Sequence, residues 1–165
     1  MDAKRAFQHL LLPQWTAARA FPAPVLASIE RAVGMSEAHH DAELRFAVEA
    51  GLPLVALCRG QSARQRAVEV FSQLRVWDTE NNSGVLIYVQ TIDRKVEIVA
   101  DRGINARVRQ AEWDAICRGM EEYFRRGAFE AGALAAIGEI SALLERHFPP
   151  RETNPDELSN QPVVL

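Results

Sequence analysis

Asp78, Glu80, Asn82 and Asp101 offer hard oxygen donors, and Arg102 follows the last of them. Three carboxylates and an amide suit a divalent cation, since calcium takes about six to eight oxygens and magnesium keeps more of its water. The expected ion is therefore Ca2+ or Mg2+, with Asp78, Glu80, Asn82 and Asp101 as ligands. Carboxylates held close together resist ionising unless positive charge offsets them. Ser83-Gly84 lets the intervening loop bend tightly. The ligand positions and closing Glu of an EF-hand are missing. Asn81-Asn82-Ser83-Gly84 is also the composition of any turn before a strand, and Asp101 also suits a cap at a strand end. His39 and His40 are adjacent, so from a helix they cannot both face one point. One of them could serve as an imidazole ligand or general acid, or both could sit at a solvated helix end.

These residues lie in separate segments of the chain, and the strands beside them decide whether the segments meet. Leu44, Phe46 and Val48 alternate with Arg45, Ala47 and Glu49, the period of a half-buried strand over Glu43–Glu49. Gly84–Gln90 is an apolar, β-branched run, and Lys95–Ala100 is a second one. Residues 91–94 between them are short enough for a hairpin. Between the first two strands, Ser62 and Gln65 form a capping box. It opens a helix that runs to about Leu74 and buries Val68, Phe71 and Leu74. The segment from Pro53 to Gly60 is short and apolar and fits helix or strand. Other helices are expected at about 24–42, 106–126 and 129–147, and Pro149 and Pro150 stop the last.

A strand, a helix and another strand in one sheet run parallel by preference. The starts of Glu43–Glu49 and Gly84–Gln90 and the end of Lys95–Ala100 then share one end of the sheet. Three polar segments converge there: Glu37 with His39, His40, Asp41 and Glu43; Asp78 to Asn82; and Asp101 with Arg102.

The chain has 165 residues, enough for one domain with one core. Its division is an N-terminal helix over 1–22, a domain over 23–150 and a tail over 151–165. The tail is polar and ends in Val163, Val164 and Leu165; it drapes over the domain or stays disordered. A formal charge of −3 leaves no basic surplus for phosphates, which argues against a nucleic-acid partner. No run approaches the ~20 apolar residues of a membrane span. Pro13 cuts short the apolar run Leu10–Leu12, so a signal peptide is not expected and the location expected is cytoplasmic. The first helix packs on the domain or meets a membrane surface or partner, the first being favoured over peripheral membrane contact. Cys58 and Cys117 match no metal or redox spacing and are read as two unpaired core thiols in a reducing compartment, with one buried disulfide as the alternative. Trp15, Trp77 and Trp113 are read as packing residues. No dinucleotide fingerprint, P-loop or nucleophile elbow is present.

The stretch NNSGVLIYVQTIDRKVEIVADRG resembles the centre of the TPM domain family, and WDAICRGMEEYFRRGAFEAGALAAIGEISALLERHFP resembles its last two helices. The similarity spans about residues 25–148. The whole chain is most similar to a short proteobacterial branch whose members end in a comparable Asn-Glu-Leu and Pro-Val segment. The resemblance implies an α/β fold, a three-layer α/β/α sandwich (Rossmann-like) with a small mixed central sheet. It also implies divalent-cation binding and a weak acid-phosphatase activity. The matching positions are Asn82, Gly84, Asp93, Arg94, Asp101, Arg102 and Gly103. Ser83 stands where the family has Asn, and Ala42 where the branch has Gly.

Two functions compete. In a cation-binding interaction module the ion rigidifies loops that face a protein partner. In a metal-dependent phosphate-ester hydrolase, Asp101 would act with the ion and Arg102 would stabilise charge on the phosphoryl group. No residue stands out as a nucleophile. The binding module is the favoured reading.

Overall fold

The computed structural model describes residues 15–151 and 155–165. Alternation in the sequence becomes a sheet with two apolar faces. Strands β1 (Glu43–Glu49), β2 (Gly84–Gln90), β3 (Lys95–Ala100) and β4 (Val163–Val164) stand in the order β3-β2-β1-β4. β1 runs parallel to β2, with Glu43 opposite Gly84, and β3 runs antiparallel to β2, with Ala100 opposite Val85. Every residue of β2 is buried, as expected of a central strand covered on both sides.

Helices α1 (Trp15–Ala20), α2 (Ala23–Glu37), α6 (Gln110–Arg125) and α7 (Phe129–His147) belong to one face. Leu44, Phe46, Val48, Ile87 and Ile98 meet their apolar stripes there. Phe21, just after α1, stands with its ring centroid 5.9 Å from those of Phe46 and Phe124. Such aromatic contacts add to plain area burial, and they seat the chain before α2 on the core. The other face carries Ala47, Leu86, Tyr88 and Val99 under α4 (Ala63–Gln73), with α3 (Leu54–Cys58) beside it in sequence. The molecule is a three-layer α/β/α sandwich with a small mixed sheet.

Several expectations shift. The helix expected to reach about residue 42 stops at Glu37, because Ala38 caps it and His40 folds back onto Ser36. The capping box at Ser62 forms as expected. The buried stripe of α4 is Ala67, Val70 and Phe71, while Val68 is 46% exposed. Small Ala67 lets the helix approach the sheet; Val68 points away. The helix expected over 106–126 starts later, as α6 at Gln110, and a separate short helix, α5 (Arg102–Asn105), capped by Asp101, precedes it. Pro53–Gly60 contains a helix, α3. Trp113 is buried, and Trp77 is half exposed. Cys58 and Cys117 are free thiols, but Cys58 is exposed and not in the core, and Cys117 is half-buried. Trp15 begins α1, and the expected helix before it lies outside the described residues. Among the described residues no helix is long and apolar enough to cross a membrane.

The tail supplies a fourth strand. Val163 and Val164 pair parallel with Ala47 and Val48, and Leu165 N–H donates to Val48 O at 2.9 Å. Leu158 and Leu165 pack against the α4-side core. An exposed edge of β1 is thereby covered.

Candidate functional site

Strand direction brings the three polar segments to one end of the sheet. Glu43 N–H donates to Ser83 O at 3.2 Å, Asp101 N–H to Gly84 O at 2.8 Å and Gly103 N–H to Asn82 O at 3.1 Å. The loop before β2 closes tightly: Thr79 Oγ1 accepts from Ser83 N–H, and Asn82 adopts a left-handed φ of 52°. Two glycines permit this crowding. A Cβ on Gly84 would lie 1.8 Å from Val76 O, and one on Gly103 would lie 2.6 Å from the carbonyl oxygens of both Asn81 and Asn82.

Of the expected ligands, Asn82 and Asp101 are drawn together through Arg102. Its Nε donates to Asn82 Oδ1 at 2.9 Å, and its backbone N–H donates to Asp101 Oδ1 at 2.6 Å. Asp101 Oδ2 is buried and receives no hydrogen bond. Asp78 and Glu80 are exposed, and it is the backbone N–H of Glu80 that is held, by Glu157 Oε2 at 2.9 Å. A cleft of about 500 Å³ opens beside this loop, lined by Asp41, Asn81, Ser83, Gly103, Arg107 and Arg151 among others. Arg151 Nε pairs with Asp41 Oδ2 at 2.9 Å.

A different carboxylate group assembles at the same end. Glu37 ends α2, Glu43 begins β1, and Asp156 arrives from the tail; each offers an oxygen within 4.8 Å of the others. Among the described residues this is the one group of three or more acidic, His or Cys side chains at such spacing. Glu37 and Glu43 are buried, and Asp156 is exposed. Backbone donors hold the first two: Leu44 N–H to Glu37 Oε1 at 2.8 Å and Leu158 N–H to Glu43 Oε2 at 3.1 Å. Arg45 donates to the carbonyls of Ser159 and Gln161 and so fastens the tail beside the group.

The electrostatics follow from crowding. Burial pushes the Glu37 carboxyl up to about 8; the Leu44 N–H lowers it, and Glu43 and Asp156 raise it further. Burial also raises Glu43, against the lowering by N–H donors of Leu158 and Glu157. His40 contributes no ligand atom here. Its Nδ1 accepts from Ala42 N–H at 3.3 Å, and Nε2 meets Ser36 Oγ at 2.8 Å, so both nitrogens are engaged. Burial pushes its pKa down to about 4, which keeps the ring neutral at pH 7. His39 is exposed.

Glu37 and Glu43 belong to the segments expected to converge, but Asp156 does not. The only sequence signal for it was the apolar Val163-Val164-Leu165 ending, which could read as a short strand returning the tail to the sheet.

Comparison with known proteins agrees with this architecture. No curated protein matches the chain. A solved structure, the NMR structure of the BA42 protein from the psychrophilic bacterium Bizionia argentinensis, superposes with a TM-score of 0.77 at 28% identity. The match covers 88% of this chain and 95% of that one. The family model described as the TPM domain matches residues 17–143. With most of its length matched by that model, the chain belongs to the TPM domain family.

Proposed function

We propose that this chain is a divalent-cation-binding module that holds Ca2+ or Mg2+ at Glu37, Glu43 and Asp156 and acts through a protein partner. The observation that carries this reading is the approach of three carboxylates from three separate segments to within 4.8 Å. Crowded acids in a buried setting need a proton or a cation to offset their repulsion. Oxygen ligands select a hard ion, and water or backbone carbonyls complete its shell. Because one ligand comes from the tail, the ion ties residues 155–165 to the domain and fixes the surface offered to the partner.

A second position is supported by one specific feature. The buried Asp101 Oδ2 lacks a donor, and a cation beside Asp101 and Asn82, with Asp78 and Glu80 swinging in, would satisfy it. On that reading Asp101 and Arg102 sit near the cleft and would serve a weak phosphate-monoester hydrolase.

Metal-stripped protein titrated with Ca2+ and then Mg2+, followed by amide NMR, tests both. Saturable shifts at the Leu44 and Leu158 amides, lost in Glu43→Gln, are expected. Shifts confined to 101–103 and 78–83 would move the ion to the loop, and hydrolysis of a chromogenic phosphate ester should then be assayed with metal present. No shift at millimolar cation would overturn both positions.

A further inference from the structure

The opposite end of the sheet carries a second polar assembly that the cation reading does not use. At the end of β1, Glu49 is 5% exposed and accepts from Tyr88 Oη at 2.5 Å. Arg66 of α4 grips the same carboxylate, with Nη2 at 2.7 Å from Oε1 and Nε at 3.0 Å from Oε2. Its Nη1 reaches Glu69 Oε2 at 3.2 Å. A bidentate pair of this kind is strong and directional, and it fixes α4 to the sheet.

Between α3 and the first two turns of α4 lies a cleft of about 620 Å³. That volume falls within the usual range of small-molecule sites. Its wall includes Val55 and Val68, which are 61% and 46% exposed and rank among the few large apolar side chains left in solvent among the described residues. Arg59 and Arg64 stand at the same cleft. Arg64 donates to Ile98 O at 2.5 Å and lies 3.8 Å from Glu97. Arg59 pairs with no side chain among the described residues. The acidic side chain on the wall, Glu69, shares Arg66 with the buried Glu49. Arg59 is thus the guanidinium of the wall that no carboxylate of the described residues engages, and it adjoins apolar surface.

We propose that this cleft binds a small monocarboxylate with a short apolar body. Arg59 holds the carboxylate, and its planar fork suits two parallel hydrogen bonds. Val55 and Val68 cover the apolar part. A single uncommitted guanidinium matches one negative charge, and this favours a carboxylate over a phosphate dianion. The position is also the expected one, since ligands of open α/β sheets bind outside the carboxyl ends of the parallel strands. The site is independent of the acidic end, because β1 separates the two by roughly 20 Å.

The test uses the full chain and amide NMR with three probes: hexanoate, inorganic phosphate and hexyltrimethylammonium. Hexanoate should give saturable shifts confined to 53–69, and the other two should not. Arg59 is exposed, so Arg59→Ala should fold normally and weaken hexanoate binding about tenfold, the scale of a lost charge-assisted hydrogen bond. Val68→Ser should also weaken it. Equal response to the ammonium probe, equal response to phosphate, unchanged affinity in Arg59→Ala, or no saturable shift would each overturn the proposal.

Discussion

Glu37 and His40 lie three residues apart, and burial drives their protonation in opposite senses. The carboxyl of Glu37 is raised from 4.5 to about 8, so the folded chain keeps a proton there that the unfolded chain releases. Stability from this group is complete below pH 4.5 and falls as pH rises towards 8. His40 is lowered from 6.5 to about 4, so the folded chain lacks a proton the unfolded chain holds between those values. Its contribution grows as pH rises from 4 to 6.5 and is then constant. The two oppose one another below pH 6.5, which leaves the interval from 6.5 to 8 to Glu37. In chelator, urea unfolding should show a loss on the order of 2 kcal/mol across that interval, at ~1.4 kcal/mol per unit. Glu37→Gln keeps the acceptor for Leu44 N–H and should flatten the profile. An unchanged slope in Glu37→Gln would mean that the carboxyl is already ionised at neutral pH.

Among the elements, β1, β2 and β3 were readable to the residue because each carries its own alternation or apolar run between turn residues. β4 was not, for it has two residues and no pattern of its own. It exists because β1 offers an unpaired edge, a property of the fold rather than of the segment. Asp156 was hidden for the same reason: a ligand delivered by a tail becomes visible only when the tail is placed. The face of α4 was misjudged for another cause. Hydrophobicity favours Val68 over Ala67, but close packing on a sheet selects the smaller side chain. The convergence of polar segments at one sheet end was legible, because strand direction alone determines it. The tail's hold on β1 can be tested through Arg45, which donates to the carbonyls of Ser159 and Gln161. Arg45→Ala should speed hydrogen exchange at the Leu158 and Leu165 amides about tenfold, the scale of a hydrogen bond made by a charged group. The β2 amides should stay protected. Unaltered exchange at both tail amides would show that apolar packing of Leu158 and Leu165 holds the tail without Arg45.

At the scale of the molecule, the sheet has two chemically different ends. One gathers the carboxylates of Glu37, Glu43 and Asp156 beside the Asn81–Asn82 loop; the other carries the paired Glu49 and Arg66 under a partly apolar cleft that Arg59 and Arg64 line. Helices cover both faces, and the tail closes one edge, so the polar ends remain the sites where chemistry can meet solvent. The proposed cation site lies at the acidic end. Its most direct test is a crystal of the full chain equilibrated with calcium and measured for anomalous scattering. One strong peak is expected within about 2.5 Å of oxygens from Glu37, Glu43 and Asp156. A peak at Asn82 and Asp101 instead, or none at saturating calcium, would contradict it.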